Sequence, residues 1–344
     1  MRFLLDDEQR EFARSLDGML AAAGTPAAVR AWASGDHGPG RALWARLAEA
    51  GVFGLAVPEE QGGLGVLPVE LALSFTELGR HAVPGPLVET VAAAALLDRL
   101  DRPDRLDHLG HLDRLGDETG AAAWLPGIAD GKTIASLCLL SPEAPYALDA
   151  DAADAVFVVE RDTVRLASDH GDLQPSLDPA RRLARPRGGT VLARGPEVLA
   201  AAAHAADVAA LATAAQALGL GRALLDRTVA HARQRTQFGV AIGSFQAVKH
   251  RLADTLLALE FAQPLVHAAA LALASHDPDA GREISAAKVS SCEAACTAAR
   301  TALQIHGALG YTEELDLSLW IRKARALRSS WGTPSACRAR VLAS

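Results

Sequence analysis

The chain has 344 residues, half of them apolar but only 4% aromatic, and a net charge of −7. That length allows two or three domains or one extended architecture. The acidic balance gives no support for a nucleic-acid partner, whose phosphates want a positive footprint.

The opening residues, MRFLLDDEQREFARSL, lack the charge, apolar core and cleavage site of a signal peptide. Four cysteines, Cys138, Cys292, Cys296 and Cys337, are too few for a disulfide framework. Cys292 and Cys296 share a helix face, but no His or Asp completes a ligand set, so they read as small buried side chains and no metal is expected. A cytoplasmic location follows.

In chain order, Asp6 and Gln9 fit a capping box, and Phe12, Leu16 and Leu20 recur at helical spacing. A second helix is predicted over 41–51. VPEEQGGLG at 57–65 is a break, because Pro58 stops a helix and its glycines permit tight turns. Helices resume near 68–80 and 86–100. The charged stretch 98–117 reads as an exposed helix pair or a loop, with His108 and His111 solvated rather than metal-bound.

Between 121 and 196 the character changes. TIASLCLL (133–140), DAVFVVE (154–160), TVRLAS (163–168) and TVLAR (190–194) read as strands of a small β-domain punctuated by prolines. The basic run RRLARPR at 181–187 reads as a solvated linker. From 197 onward, long alanine-rich helices are predicted over 197–234, 244–274, 281–306 and 314–329, suiting a four-helix bundle. No membrane span is expected, since Glu260, Gln263 and His267 interrupt the nearest apolar run, 256–274, which reads as a helix buried in protein. The fold class is thus mainly α with a small β middle domain: a helical domain over 1–120, a shortened β-domain over 121–196 and a bundle over 197–344.

Four segments in order carry a resemblance: LDDEQREF (5–12), FGLAVPEEQGGLG (53–65) followed by ELGR (77–80), RTQFGVAIGSFQAVKHRLAD (235–254) and QIHGALGYT (304–312). Together they resemble the acyl-CoA dehydrogenase family. The resemblance is thin over 100–190 and covers the rest. It implies α,β-dehydrogenation of an acyl-CoA thioester, with a carboxylate taking the α proton and FAD accepting the β hydride. It also implies that the flavin lies across a subunit interface.

On that resemblance, Arg235 is a candidate for the FAD pyrophosphate, since a guanidinium fork binds phosphate through two hydrogen bonds. Gln237 and Phe238 would contact the cofactor beside it. Gln304, Gly307 and Gly310 match the element that meets the ADP portion, although Ala308 stands where the family prefers a second glycine. The plainer readings are a helix-end arginine in an ordinary turn and a helix C-cap at Gly307. His306 reads as a packing or hydrogen-bonding residue rather than a catalytic one.

The resemblance also exposes losses. Where the family has Tyr-Glu-Gly-Thr, this chain reads Ser330, Trp331, Gly332, Thr333, and Trp331 cannot abstract a proton. The family's alternative base position, counted from Leu218–Gly219, falls on Ala209. The nearest carboxylate, Asp207, is turned by about 200° from it. LLSPEAPYA (139–147) keeps Pro142 and Glu143 of a flavin-wall segment but lacks its Gly-Ser-Asp, and the Lys-x-Trp-Ile-Thr strand is missing.

No catalytic residue is therefore assigned. The expectation is a smaller, catalytically incomplete subunit of an actinobacterial α2β2 heterotetramer, acting on an acyl-CoA such as a steroid side-chain ester. The FAD would be shared across the interface with a full-length partner that holds most of the acyl-CoA. Two alternatives stand beside it. One is a self-sufficient homo-oligomer with a relocated base such as Asp207, Glu313 or Glu314. The other is a non-enzymatic scaffold or acyl-CoA binder.

Overall fold

The computed structural model describes residues 4–101, 113–114, 120–142 and 144–343. The chain is mainly α-helical with a small β region in the middle, the acyl-CoA dehydrogenase-like order expected from the sequence. Two contact units are interleaved along it. One comprises 27–71 and 84–209, the other 1–26, 72–83 and 210–344.

The first unit contains helices α2 (Thr25–Ser34, from residue 27 on), α3 (Gly38–Glu49), α5 (Leu87–Asp101) and α6 (Leu125–Ala129), with most of the strands. Helix α2 was not legible in advance. It is short, and Gly24 and Gly35, both at positive φ, bracket it. Helix α3 starts three residues earlier than predicted because Pro39 suits a first helical turn, where its missing N–H costs nothing. Helix α5 is buried almost all round, as an apolar helix without a polar face must be.

Among the described residues, nine short strands follow α5 before the next long helix: β1 (Asp113–Arg114), β2 (Ala135–Leu139), β3 (Ala147–Leu148), β4 (Ala155–Glu160), β5 (Thr163–Leu166), β6 (Asp169–His170), β7 (Leu183–Ala184), β8 (Pro186–Arg187) and β9 (Thr190–Arg194). Five form one sheet in the order β1-β9-β5-β4-β2, with β2 parallel to β4 and the other pairings antiparallel. The four predicted strands are β2, β4, β5 and β9. The two-residue ladders β3–β7 and β6–β8 were not predicted, being too short to show a periodic pattern. The run 181–187, expected as a solvated linker, supplies β7 and β8 instead. Within it, Arg182 is built in: its guanidinium pairs with Asp151 at 2.8 Å and donates to the Ala33 carbonyl at 3.1 Å. In the stretch 98–117, only Asp113–Arg114 beyond α5 is described, as an edge strand. His108, His111 and Glu143 lie outside the described residues.

The second unit holds α1 (Asp7–Ala21), α4 (Pro68–Arg80, from residue 72 on), and the C-terminal helices: most of α7 (Glu197–Gln234), with α8 (Gln246–Ala274), α9 (Ala280–His306), α10 (Leu317–Leu327) and α11 (Pro334–Ala343). The capping box at α1 is present: Gln9 N donates to Asp6 Oδ1 at 2.8 Å and Asp6 N to Gln9 Oε1 at 3.1 Å. Helix α10 is shorter than predicted, and the final helix α11 was not foreseen.

Two glycines let α4 and α7 cross at close range. A Cβ on Gly79 would lie 1.9 Å from the Gln216 carbonyl oxygen, and one on Gly219 would lie 1.7 Å from that of Thr76. The contact is therefore backbone against backbone, and only glycine fits it.

Helix α8 corrects the expectation that 256–274 is buried. Leu259, Ala262, Val266 and Ala269 are covered, but Leu256, Leu257 and Phe261 are 44%, 53% and 72% exposed. Helices α7 and α8 are also long and apolar enough, by length and composition, to cross a membrane. The test of unbroken apolar runs missed this because alanine raises the mean between polar residues. Most of that apolar stretch in α7 is buried inside the protein.

Candidate functional site

The segment after α7 folds as a tight hairpin. Strand β10 (Thr236–Gln237) pairs antiparallel with β11 (Val240–Ala241), and Ile242 N closes its base by donating to the Arg235 carbonyl at 2.8 Å. Both turn residues, Phe238 (φ 53°) and Gly239 (φ 80°), are left-handed. Two-residue hairpin turns of the mirror-image type require this of both central residues. Glycine adopts that conformation freely, but phenylalanine pays on the order of 1–2 kcal/mol. Phe238 is nevertheless 91% exposed, its ring meeting that of Phe245 edge-on at 6.2 Å between centroids. A strained backbone that presents a bare aromatic ring is the kind of feature that points to a binding role.

Arg235 and Gln237 are exposed at the base and in the first strand of this hairpin. Among the described residues, the Arg235 guanidinium has no hydrogen-bonding or ion-pair partner. Helix α9 ends at Gly307, whose φ of 62° and ψ of −137° suit glycine alone, and the space where its Cβ would stand is open. Gln304 is exposed one turn earlier. Gly310 is different: it is buried, and a Cβ there would press on Leu303 and His306 at 3.2–3.4 Å. The chain's own packing uses that glycine. Ala308 is exposed.

The turn at 328–333 is held from below. Lys288, only 1% exposed on α9, donates from Nζ to the carbonyls of Leu327 (3.3 Å), Arg328 (3.4 Å) and Gly332 (3.2 Å). The end of α10 thus meets a buried cation, favourably placed for the helix dipole. Trp331 (φ 51°) and Gly332 (φ 119°) make the turn left-handed, and Trp331 is half-buried. Sequence reasoning missed Lys288, because a lone lysine on an apolar helix face carries no local signal of what it will meet.

Asp207 is half-buried and has a partner of its own, and Ala209 is fully buried. Glu313 is largely exposed and pairs with Arg322 at 3.5 Å; Glu314 is exposed. The four thiols are buried, and burial pushes each up from its ordinary pKa, Cys138 to about 11. Cys292 and Cys296 donate weakly to the Leu327 and Ala324 carbonyls.

Among the described residues, one cluster has metal-ligating chemistry: Asp17, Glu77 and His81, with ligand atoms within 4.8 Å of one another. His81 Nε2 lies 2.7 Å from Asp17, and Arg80 Nε lies 3.9 Å from Asp17 and 4.0 Å from Glu77. A guanidinium already supplies the positive charge there. Burial raises Glu77 to about 7.

Comparison with known proteins bears on this geometry. Residues 6–100 match the family described as acyl-CoA dehydrogenase, N-terminal domain, and residues 199–343 match acyl-CoA dehydrogenase, C-terminal domain. Acyl-CoA dehydrogenase IpdE2 of Mycobacterium tuberculosis is 33% identical over 320 residues, covering 92% of this chain and 91% of that protein.

The chain belongs to the acyl-CoA dehydrogenase family.

A second relative, acyl-CoA dehydrogenase IpdE2 of Mycolicibacterium smegmatis, is 30% identical across 95% of this chain and 96% of its own length. The fold agrees with solved family members. Butyryl-CoA dehydrogenase from Megasphaera elsdenii superposes with a TM-score of 0.81 at 20% identity, over 100% of this chain and 99% of that one. A chain of the ChsE4–ChsE5 complex from Mycobacterium tuberculosis superposes with 0.80 at 21% identity, over 100% and 98%.

Members of this family are flavin-dependent oxidoreductases that generally bind FAD. The residues present fit the diphosphate-bearing part of that cofactor: a guanidinium without a protein acceptor, an exposed amide, and a helix end whose glycine leaves open space. The chemistry FAD supplies when bound is acceptance of the β hydride of the acyl-CoA. The chain's own residues here could bind and orient it. Beside the 328–333 turn, Glu293 lies 3.9 Å from Arg328 and is paired with Arg338.

Asparagine tolerates the left-handed conformation that phenylalanine resists. Phe238→Asn is therefore expected to leave the chain's stability unchanged or raise it by up to about 1 kcal/mol, yet to weaken cofactor or partner association. Urea unfolding and a binding titration on the same variant check both halves. Equal binding by the variant would mean that the exposed ring has no such role.

Proposed function

We propose that this chain is the catalytically incomplete subunit of a cytoplasmic, heteromeric acyl-CoA dehydrogenase. It completes the FAD site of a full-length partner, and the partner supplies the catalytic carboxylate and the flavin-ring wall. The observation that carries this reading is the exposed Arg235–Phe238 hairpin; beside it stands the resemblance of Ser330–Thr333 to the family's Tyr-Glu-Gly-Thr string, in which Trp331 replaces the glutamate. Arg235, Gln237, Phe238, Gln304 and Gly307 would hold the diphosphate and adenosine side of the cofactor, with Gly310 shaping the helix end beneath them.

The uncovered face of α8 supports the same reading. Leu256, Leu257 and Phe261 leave apolar area in water that an obligate subunit interface would bury. Solved relatives of the same fold include the ChsE4–ChsE5 complex and the Tcur3481–Tcur3483 steroid ACAD, the latter with a TM-score of 0.79 at 22% identity. In line with them we propose a mixed complex and a steroid-bearing acyl-CoA; the α2β2 arrangement is what the resemblance to heterotetrameric family members suggests.

The test is co-expression with a full-length family member from the same bacterium. A stable mixed complex that oxidises an acyl-CoA, from two chains that are each inactive alone, is the expected result. A homo-oligomer of this chain that oxidises acyl-CoA unaided would overturn the reading in favour of a relocated base. Absence of flavin from every assembly would favour a scaffold.

A further inference from the structure

Two histidines stand between the two segments assigned above to the cofactor. His231 lies on the last turn of α7, and Arg235 N donates to its carbonyl at 2.9 Å. His306 closes α9 immediately before Gly307. Their rings stack with centroids 4.0 Å apart and planes tilted by 26°. His306 Nδ1 lies 2.9 Å from the Ala302 carbonyl, so that nitrogen carries the hydrogen and donates it, leaving Nε2 for another partner. Among the described residues, His306 Nε2 and both ring nitrogens of His231 have no hydrogen-bond partner.

The charges around the pair are all of one sign. The groups acting on His231 are His306 and Arg235, and no carboxylate acts on either ring. Burial is the larger cause that holds both rings below the ordinary histidine pKa; the neighbouring His306 and Arg235 lower His231 further. Two half-buried imidazoles beside an unpaired guanidinium, with no carboxylate acting on either ring among the described residues, form a site that an incoming anion would complete.

We propose that His231 and His306 join Arg235 as a proton-linked contact for the dinucleotide diphosphate, neutral in the empty protein and taking up a proton when the anion binds. This rests on the half-site reading above. The sign follows from linkage. Lowered pKa values keep the rings neutral in the free protein down to below the ordinary value of about 6.5. A diphosphate alongside offsets the repulsion and raises them. The bound state then holds more protons than the free state between those two limits. Affinity therefore increases as pH falls from about 8 to about 6, by at most tenfold per pH unit for each proton taken up.

The experiment is calorimetric titration of the full-length chain, and of the flavin-stripped mixed complex, with ADP-ribose. Its diphosphate is a diester and does not itself titrate in this range. Adenosine serves as the control without phosphate. Runs at pH 6 and 8, in two buffers of different ionisation heat, count the protons taken up. Expected are several-fold tighter binding at pH 6, a measurable net proton uptake, and no such effect with adenosine. In His231→Phe/His306→Phe, which keeps the aromatic stack without its protons, the uptake should vanish while binding dependent on Arg235 persists. The proton count on the unmodified protein does not depend on that variant folding. Binding that depends on Arg235 but takes up no proton, or uptake unchanged in the double variant, would overturn this inference and leave the half-site reading intact. If neither the chain nor the complex binds ADP-ribose, or Arg235→Ala makes no difference, the half-site reading fails and this inference with it.

Discussion

Gly219→Ala is expected to destabilise the protein by about 3 kcal/mol or more, the upper end of what overpacking costs. The added methyl would have to occupy a position 1.7 Å from the Thr76 carbonyl oxygen. Neither rotamer change nor side-chain yielding can relieve that, because the obstacle is backbone. Helices α4 and α7 would have to separate, and their crossing also carries the reciprocal approach of Gly79 to the Gln216 carbonyl. The crossing is braced nearby, where Trp320 Nε1 donates to the Arg80 carbonyl at 2.9 Å and Arg80 pairs with Asp226 at 2.9 Å. A shift of α4 would disturb both. Gly18→Ala is the matched control. It lies in α1, and a Cβ there would meet nothing within 4 Å. That substitution should stabilise by up to about 1 kcal/mol through helix propensity alone. Urea unfolding of the two variants should therefore move the midpoint in opposite directions.

Arg235→Ala is expected to weaken FAD retention by about 10- to 100-fold, the range that follows from losing one hydrogen bond to a charged group, about 1.5–3 kcal/mol. The reasoning is that the guanidinium has no protein acceptor to lose, so the substitution removes a ligand contact and little else. Stability without cofactor should stay within about 0.5 kcal/mol of the parent. Arg235→Lys should fall between the two, since an ammonium keeps the charge but not the two-pronged geometry. Equilibrium dialysis of the mixed complex against FAD separates these outcomes. Equal retention by Arg235→Ala would remove this residue from the cofactor site.

Much of the architecture was legible because its signals are local. Asp6 and Gln9 announce the start of α1 by themselves, and the β-branched runs of β4 and β5 need no distant partner to be recognised. The family motifs were legible for the same reason: RTQFG and QIHGALG are contiguous strings. What could not be read depended on contacts between residues far apart in the chain. Nothing in the sequence near Lys288 says that it will meet the end of α10. His231 and His306 lie on different helices, and only the packing of α7 beside α9 stacks their rings. The exposure of Phe261 on α8 was missed because an apolar helical residue in a bundle is expected to face the core. Its uncovered position becomes legible only when the neighbours that fail to cover it are in place. The hairpin tip is an intermediate case. An ordinary turn after Arg235 was one reading of the string, but the left-handed Phe238 runs against its own preference and could come only from the structure.

The half-site reading stands or falls on how flavin is distributed between chains. The most direct measurement is the number of FAD molecules per chain, by absorbance of the purified protein, for this chain alone and for the complex formed with a full-length family member. The account predicts no stoichiometric flavin on the chain alone and fewer FAD than chains in the complex, with Arg235→Ala in this chain lowering the complex's content. One FAD bound by each copy of this chain in isolation, together with oxidation of acyl-CoA, would contradict it.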